Sequence, residues 1–267
     1  MTEIGEGTAG TTLAIPGHDG ATVTLAWAAV TDVGRKRAAN EDSYLVSPPI
    51  FAVADGMGGH LSGDVASAAV VNRLSEIVVG DFATTADIES ALEIASSDIA
   101  VVAGESEIGV GTTVTGAVLT VDDDGSAFFT VFNIGDSRVY QFERNDLRQV
   151  TVDHSLVQEL VQAGIISPAQ AYDHPDGNII TRAVGFEPAP VPDYSRVPLR
   201  AGLRMLICSD GLTGELKDDR LRLHFAAGLT PGETASALVD AALASGGRDN
   251  ITVVVVDVLD VSESSVL

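Results

Sequence analysis

The sequence predicts a layered α/β or α+β fold in which antiparallel sheet is covered by helices. Three observations predict it: seven short runs of β-branched and other apolar residues, an Asp-rich turn that joins two of those runs as a hairpin, and helical patterns that fall in pairs instead of alternating with strands.

Taken in order, residues 1–20 are rich in Gly and Thr with little apolar periodicity, and are expected to be a flexible N-terminal segment. Strands are expected at Val23–Val30 and Ile50–Ala54. Ala66, Val70, Leu74 and Ile77 then repeat at helical spacing behind a cap at Ser62, and a second helical pattern covers Thr85–Ala103. The runs Thr113–Thr120 and Ala127–Asn133 flank Asp122-Asp123-Asp124-Gly125, whose turn chemistry permits positive φ, so they should pair as an antiparallel hairpin. Arg138–Phe142 and Arg204–Cys208 read as further strands. Thr230 and Glu233 form a capping box with Pro231 at the first helical position, Ala235, Leu238, Val239 and Ala242 share a face, and Gly246-Gly247 ends the helix. Ile251–Val258 is the last strand, and residues 261–267 form a short tail. No linker, low-complexity tract or repeat interrupts residues 21–260, which suits a single folded unit.

At 267 residues and 45% hydrophobic, the chain has material for a real core, and disorder throughout is excluded. The formal charge of −23 repels phosphate backbones and anionic lipid, which argues against nucleic acid and membrane as partners. Lys36 and Lys217 are the only lysines, so there is no polybasic patch. The single cysteine, Cys208, cannot make an internal disulfide or a thiolate metal cluster. The apolar windows are too short to span a bilayer and the N-terminus lacks the order of a signal peptide, so the expected location is cytoplasmic.

Chemistry gathers at four places where an aspartate stands beside small or turn-forming residues: Asn40-Glu41-Asp42, Asp55-Gly56-Met57-Gly58-Gly59, Ser209-Asp210-Gly211 and Arg248-Asp249-Asn250. Any lone Asp-Gly is most often an ordinary turn. Strands of one sheet can bring their ends together, however, and four carboxylates at one mouth repel severely unless cations neutralise them. Oxygen-only ligation suits Mg²⁺ or Mn²⁺ better than zinc, and glycine lets the Gly56 carbonyl approach closely. Composition and spacing support an oxygen-ligated metal site and go no further.

At these residues the chain closely resembles the metal-dependent serine/threonine protein phosphatases of type 2C, especially the compact bacterial members. The resemblance rests on ordered segments: Gly34 to Asp42 (Gly-Arg-Lys-Arg-Ala-Ala-Asn-Glu-Asp), Asp55 to His60, Gly111-Thr112-Thr113, Gly135-Asp136-Ser137-Arg138, Ser209-Asp210-Gly211 and Arg248-Asp249-Asn250. It implies a four-layer α-β-β-α sandwich, two central antiparallel sheets flanked by helices, with 21–260 as one catalytic domain. It also implies hydrolysis of phosphoserine and phosphothreonine in proteins, by in-line attack of a hydroxide bridging two Mn²⁺ or Mg²⁺ ions, with a weaker third ion. The implied metal residues are Asp42, Asp55, Gly56, Asp136, Asp210 and Asp249. Asp42 orients metal-bound water, Asp55 bridges both ions, Asp210 and Asp249 hold the first, and Asp136 serves the third. Arg37, five residues before Asp42, matches the arginine that grips the substrate phosphate; with Asp42 and Asp55 it makes up the catalytic set.

Animal-type members carry a histidine where this chain has Met57, and a thioether cannot donate a proton. The donor to the leaving group is left between a metal-bound water and His60. His18, His154, His174 and His224 stand outside the metal motifs and are read as structural, as are Ser137, Arg138 and Arg182. The stretch 154–187 resembles the bacterial family's flap, a mobile segment beside the active site, with Ser155 and Gln158 capping a short helix. Phosphorylated Ser/Thr proteins and a cognate Ser/Thr kinase are the implied partners of a monomeric enzyme. Two rivals are a silent scaffold of the same family, which predicts lost ligands where this chain keeps them, and a hydrolase of small phosphate esters.

Overall fold

The run Ile251–Val258 shows why the chain folds in layers. Val254, Val256 and Val258 pack on one side of their strand while Ile251, Val253 and Val255 pack on the other, so the whole run is apolar because both of its faces are covered. The structure is a computed structural model that describes residues 1–17, 20–58, 62–77, 80–103, 109–122, 124–172 and 174–262. In chain order its strands are β1 (Glu3–Ile4), β2 (Thr8–Ala14), β3 (Thr22–Asp32), β4 (Asp42–Ser47), β5 (Ile50–Met57), β6 (Gly111–Thr112), β7 (Val114–Val121), β8 (Ala127–Ile134), β9 (Arg138–Glu143), β10 (Asp146–Gln149), β11 (Asp193–Pro198), β12 (Arg204–Cys208) and β13 (Ile251–Ser262). The helices are α1 (Gly63–Glu76), α2 (Thr85–Ala103), α3 (Leu156–Gln162), α4 (Pro168–Tyr172), α5 (Asp210–Thr213), α6 (Asp218–Phe225) and α7 (Pro231–Ser245).

Two sheets result. The first runs β1-β4-β5-β7-β8-β11 with β6 added beside β5, and the second runs β10-β9-β12-β13-β3-β2. Every pairing is antiparallel except the two-residue β1, which lies parallel to β4. The facing sheets enclose a core that includes Leu25, Trp27, Phe51, Val53, Phe129, Met205, Ile207 and Val254. Trp27 of the second sheet meets Phe51 of the first edge-on at 5.3 Å, which adds directional contact to the area both bury. Helices α1 and α2 cover the outer face of the first sheet through Val70, Leu74, Ile88 and Ile99. Helices α5, α6 and α7 cover the second through Leu212, Leu221, Phe225 and Leu238. The expected four layers are therefore present.

Local signals hold where they are strong. The hairpin β7–β8 pairs Val121 with Ala127 around Gly125 at φ +83°. The capping box at Thr230 forms in full, and Pro231 opens α7. Other expectations need correction. The N-terminal segment expected to be loose forms β1 and β2, with Leu13 buried against the sheet and Thr12 bonded across to Thr24 at 2.9 Å; threonine's β-branch suits a sheet edge even where apolar periodicity is sparse. Ser62 precedes α1 as expected but has helical φ and ψ and makes no side-chain cap bond. The last strand continues past Val258 through a bulge to Ser262, so the tail expected at 261–267 begins in sheet, and residues 263–267 lie outside the described residues. No helix among the described residues is long and apolar enough to cross a membrane.

Candidate metal and phosphate site

The expected site residues collect at one end of the sandwich, where several strands of both sheets start or stop. Asp42 opens β4 and stands directly opposite Asp55 near the end of β5. Asp136 sits in the turn between β8 and β9, Asp210 follows β12 as the first residue of α5, and Asp249 lies two residues before β13. Register sets Asp42 against Asp55, and the packing of one sheet on the other brings Asp210 and Asp249, more than 150 residues away, to the same end.

Asp42 is fully buried and ties the sheets together. Its Oδ2 accepts from Ser209 Oγ at 2.8 Å and from Thr252 Oγ1 at 2.6 Å, both from the second sheet. Thr252 is supplied in turn by Thr31 at 2.8 Å, and Thr31 accepts from Asn40 Nδ2 at 2.9 Å. The other oxygen, Oδ1, is buried without a partner. Burial pushes the Asp42 carboxyl well above the usual range, against the pull of the two hydroxyls and with added repulsion from Asp210 and Asp249.

Asp55 is held by its backbone. Its N–H donates to Thr113 Oγ1 at 3.0 Å, and its carbonyl accepts from Thr113 N at 2.9 Å and Thr112 Oγ1 at 2.9 Å. That leaves its carboxylate facing the mouth, where burial and the charges of Asp42, Asp210, Asp136 and Asp249 push it upward. Gly56 follows because nothing larger fits: a Cβ there would fall 2.0 Å from the Gly63 carbonyl oxygen and 2.7 Å from that of Glu41. Gly211 is equally constrained, since a Cβ there would fall 1.9 Å from the Asn250 carbonyl oxygen, and the charge of Asp249 reaches Asp210 beside it. Asp210 Oδ1 is buried without a partner, and burial plus repulsion from Asp249 raises its carboxyl. Asp136 is raised by burial and by Asp210.

Arg37 donates from Nη2 to Asp249 Oδ2 at 2.6 Å, leaving about half of its side chain exposed at the mouth. Its loop is stitched by Asn250, whose Nδ2 donates to the carbonyls of Val33 at 2.9 Å and Ala39 at 3.0 Å and whose Oδ1 accepts from Glu41 N at 2.8 Å. Arg37, Asp42, Asp55, Gly56, Asp136, Asp210 and Asp249 all therefore border one region. Burial also raises Glu41, beside Asp42, with Asp64 and Asp249 contributing repulsion, so it joins the carboxylates at the rim. Glu41, Ser209 and Thr113 stand in the sequence motifs without a role and Thr252 in none of them, and the three hydroxyls gain meaning only when the sheets face each other. Ser137 and Arg138 brace the Asp136 turn as expected, through Thr113 at 2.8 Å and a two-pronged pair with Asp153, and Arg182 pairs with Asp193 at 2.9 Å. His18, Gly59, His60 and Asp123 lie outside the described residues.

As the side chains stand, no three His, Cys, Asp or Glu groups among the described residues already converge as a cage for one ion. The donor chemistry nonetheless fits hard divalent cations. Among the site aspartates two buried carboxylate oxygens, Asp42 Oδ1 and Asp210 Oδ1, have no protein partner, and mutually repelling carboxylates held above their ordinary pKa gain from any cation placed among them.

The family model described as Protein phosphatase 2C matches residues 35–245. The chain belongs to the protein phosphatase 2C family. It is 38% identical over 240 residues to the serine/threonine phosphatase stp of Listeria monocytogenes, covering 85% of this chain and 93% of that one. Among solved structures, the serine/threonine phosphatase PstP/Ppp of Mycobacterium tuberculosis superposes with TM-score 0.80 at 37% identity, covering 89% of this chain and all of that one. The PstP catalytic domain in complex with two manganese ions gives TM-score 0.79 at 36% identity, covering 89% of this chain and 99% of that one. The enzyme class carried by the family, serine/threonine protein phosphatase, is accordingly that of this chain.

In this phosphatase the lone thiol is poorly placed to act as a nucleophile. Cys208 is fully buried and packs toward α7, and burial pushes its thiol up to about 12. At pH 8 its reaction with a disulfide reagent is expected to be roughly a thousandfold slower in the folded protein than in denaturant, because so little of it is thiolate. Fast labelling of the folded chain, with loss of turnover, would restore the thiol as a nucleophile.

Proposed function

We propose that this phosphatase hydrolyses phosphoserine and phosphothreonine in other proteins at the carboxylate mouth, using two Mn²⁺ or Mg²⁺ ions and a weaker third, and so opposes a Ser/Thr kinase as a cytoplasmic monomer. The observation that carries the reading is the meeting of five aspartates, two with buried unpartnered oxygens, beside the half-exposed guanidinium of Arg37.

Asp55, the Gly56 carbonyl, Asp210 and Asp249 would hold the two principal ions, and Asp136 would serve a weaker third. Bound divalent cations supply the Lewis acidity that turns water into a nucleophile near neutral pH and offsets phosphoryl charge. Asp42 Oδ1 is the acceptor that orients the attacking water, while its Oδ2 is fixed by Ser209 and Thr252. Arg37 binds two phosphoryl oxygens through its planar fork and sets the phosphorus for in-line displacement.

The test is phosphate release from a phosphothreonine peptide with Mn²⁺, with Mg²⁺ and with EDTA, beside a phosphotyrosine peptide and a sugar phosphate. Metal-dependent turnover that EDTA abolishes and that favours phosphothreonine is expected. Preference for the sugar phosphate would overturn the substrate assignment, and silence with every metal in a folded sample would favour a scaffold.

A further inference from the structure

Asp153 and His154 form the root of the 154–187 stretch, and they grip the turn Gly135–Arg138 from both of its ends. Arg138 donates from Nε to Asp153 Oδ1 at 3.0 Å and from Nη2 to Oδ2 at 2.6 Å. At the other end the His154 N–H donates to the Gly135 carbonyl at 2.9 Å, and the Gly135 N–H donates to His154 Nδ1 at 3.1 Å. Asn133 adds a bond from Nδ2 to the same carbonyl at 3.1 Å. Asp136 stands between these two grips.

The bond from Gly135 also decides the state of the ring. Nδ1 accepts, so it carries no proton, and the imidazole proton is on Nε2, from which it is donated to Asp193 Oδ2 at 3.1 Å. The second oxygen of Asp193 accepts from Arg182 at 2.9 Å. The His154 carbonyl meanwhile accepts from Thr181 N at 2.8 Å, and Ser155 bridges to Ile180, which closes the neck of the stretch. His154 is only 6% exposed, so an apolar substitute would leave the Gly135 N–H buried and unpaired.

We propose that His154 is the positioning residue for Asp136: its imidazole locks the turn to the neck of the 154–187 stretch, so that the Asp136 carboxylate and that stretch are placed as one unit. The inference rests on the reading of Asp136 as a metal-binding residue. A partner that orients a ligand without touching the ion commonly changes metal affinity about 10–100-fold when lost.

The test is Mn²⁺ titration calorimetry on the full chain, with phosphopeptide kinetics alongside, for wild type, Asp136→Ala, His154→Asn, His154→Gln and Asp193→Ala. Asparagine sets an amide oxygen close to the place of Nδ1 and cannot reach Asp193, whereas glutamine reaches Asp193 and offers Gly135 no acceptor. Asp136→Ala should remove the weakest Mn²⁺ site. His154→Gln should weaken that site about tenfold and leave the tighter sites alone, with His154→Asn restoring only part of the loss, because it keeps the bond to Gly135 and gives up the one to Asp193. A folded His154→Gln with the wild-type isotherm, where Asp136→Ala has changed it, overturns the positioning role alone. Equal losses in Asn and Gln overturn it too, since a merely space-filling histidine would not discriminate between them. If Asp136→Ala leaves the isotherm unchanged, the reading of Asp136 fails and the inference with it. Should His154→Gln not fold, Asp193→Ala decides: it leaves the imidazole in place but frees its orientation, and an unaltered weakest site in that variant overturns the proposal.

Discussion

Asp210→Asn is expected to lower kcat/KM at limiting Mn²⁺ by more than about 100-fold, beyond the range typical of losing an outer partner of a metal site. The amide keeps the shape of a side chain whose Oδ1 is buried without a protein partner, so the change removes charge and little else. The sign of the effect on stability separates this from damage to the fold. In EDTA the variant should be at least as stable as wild type, because burial and Asp249 hold the Asp210 carboxyl above its ordinary pKa and its ionisation opposes folding. That cost is absent below the ordinary carboxylate pKa and grows as pH rises through it, so the advantage of the asparagine should be larger at pH 7 than at pH 4. With Mn²⁺ at 100 times the wild-type Kd, wild type gains about 2.7 kcal/mol, while a variant bound 100-fold more weakly gains only about 0.4 kcal/mol. Thermal unfolding with and without Mn²⁺ reads both numbers. Wild-type stabilisation by Mn²⁺ in the variant would remove Asp210 from the metal site.

What could be read before folding, and what could not, divides along the reach of each interaction. The strands Arg204–Cys208 and Ile251–Val258 are apolar on both faces, and the Thr230 capping box is closed within four residues, so local pattern is enough for them. The strand Asp42–Ser47 escapes because it opens on Asp-Ser and is buried for a reason its own pattern does not display: Asp42 is anchored by hydroxyls 167 and 210 residues away. The edge strands Thr8–Ala14, Asp146–Gln149 and Asp193–Pro198 escape for the opposite reason, since half or more of their residues face solvent and the apolar alternation is thin. Asp42, Asp55, Asp210 and Asp249 are legible as candidate chemistry because each sits in a short cluster with glycine or asparagine, whereas Asp136 comes only with the family resemblance. Ser209, Thr113 and Thr252 are not legible, because a threonine or serine at a strand end is unremarkable until the opposite sheet arrives. His154 shows the same limit: nothing near it in sequence announces that its ring closes on Gly135, 19 residues earlier.

Arg37→Ala is expected to reduce kcat/KM for a phosphothreonine peptide by about 10–100-fold, carried mainly by a higher KM. The size follows from losing charge-assisted hydrogen bonds to the phosphoryl oxygens, worth about 1.5–3 kcal/mol. Because Arg37 Nη2 donates to Asp249 Oδ2 at 2.6 Å, alanine also frees that carboxylate, so Mn²⁺ affinity should hold or rise while substrate binding falls. The opposite movement of the two constants is the signature that distinguishes a phosphate-gripping residue from a brace for the metal site. Arg37→Lys tests the geometry of the fork: it restores the positive charge without the paired donors and should recover only part of the loss, since an ammonium binds as a point charge. Full recovery by lysine would mean that charge alone is used. Loss of Mn²⁺ binding in parallel with the rise in KM would instead assign Arg37 to holding Asp249, and the phosphate would then have to be gripped by another group.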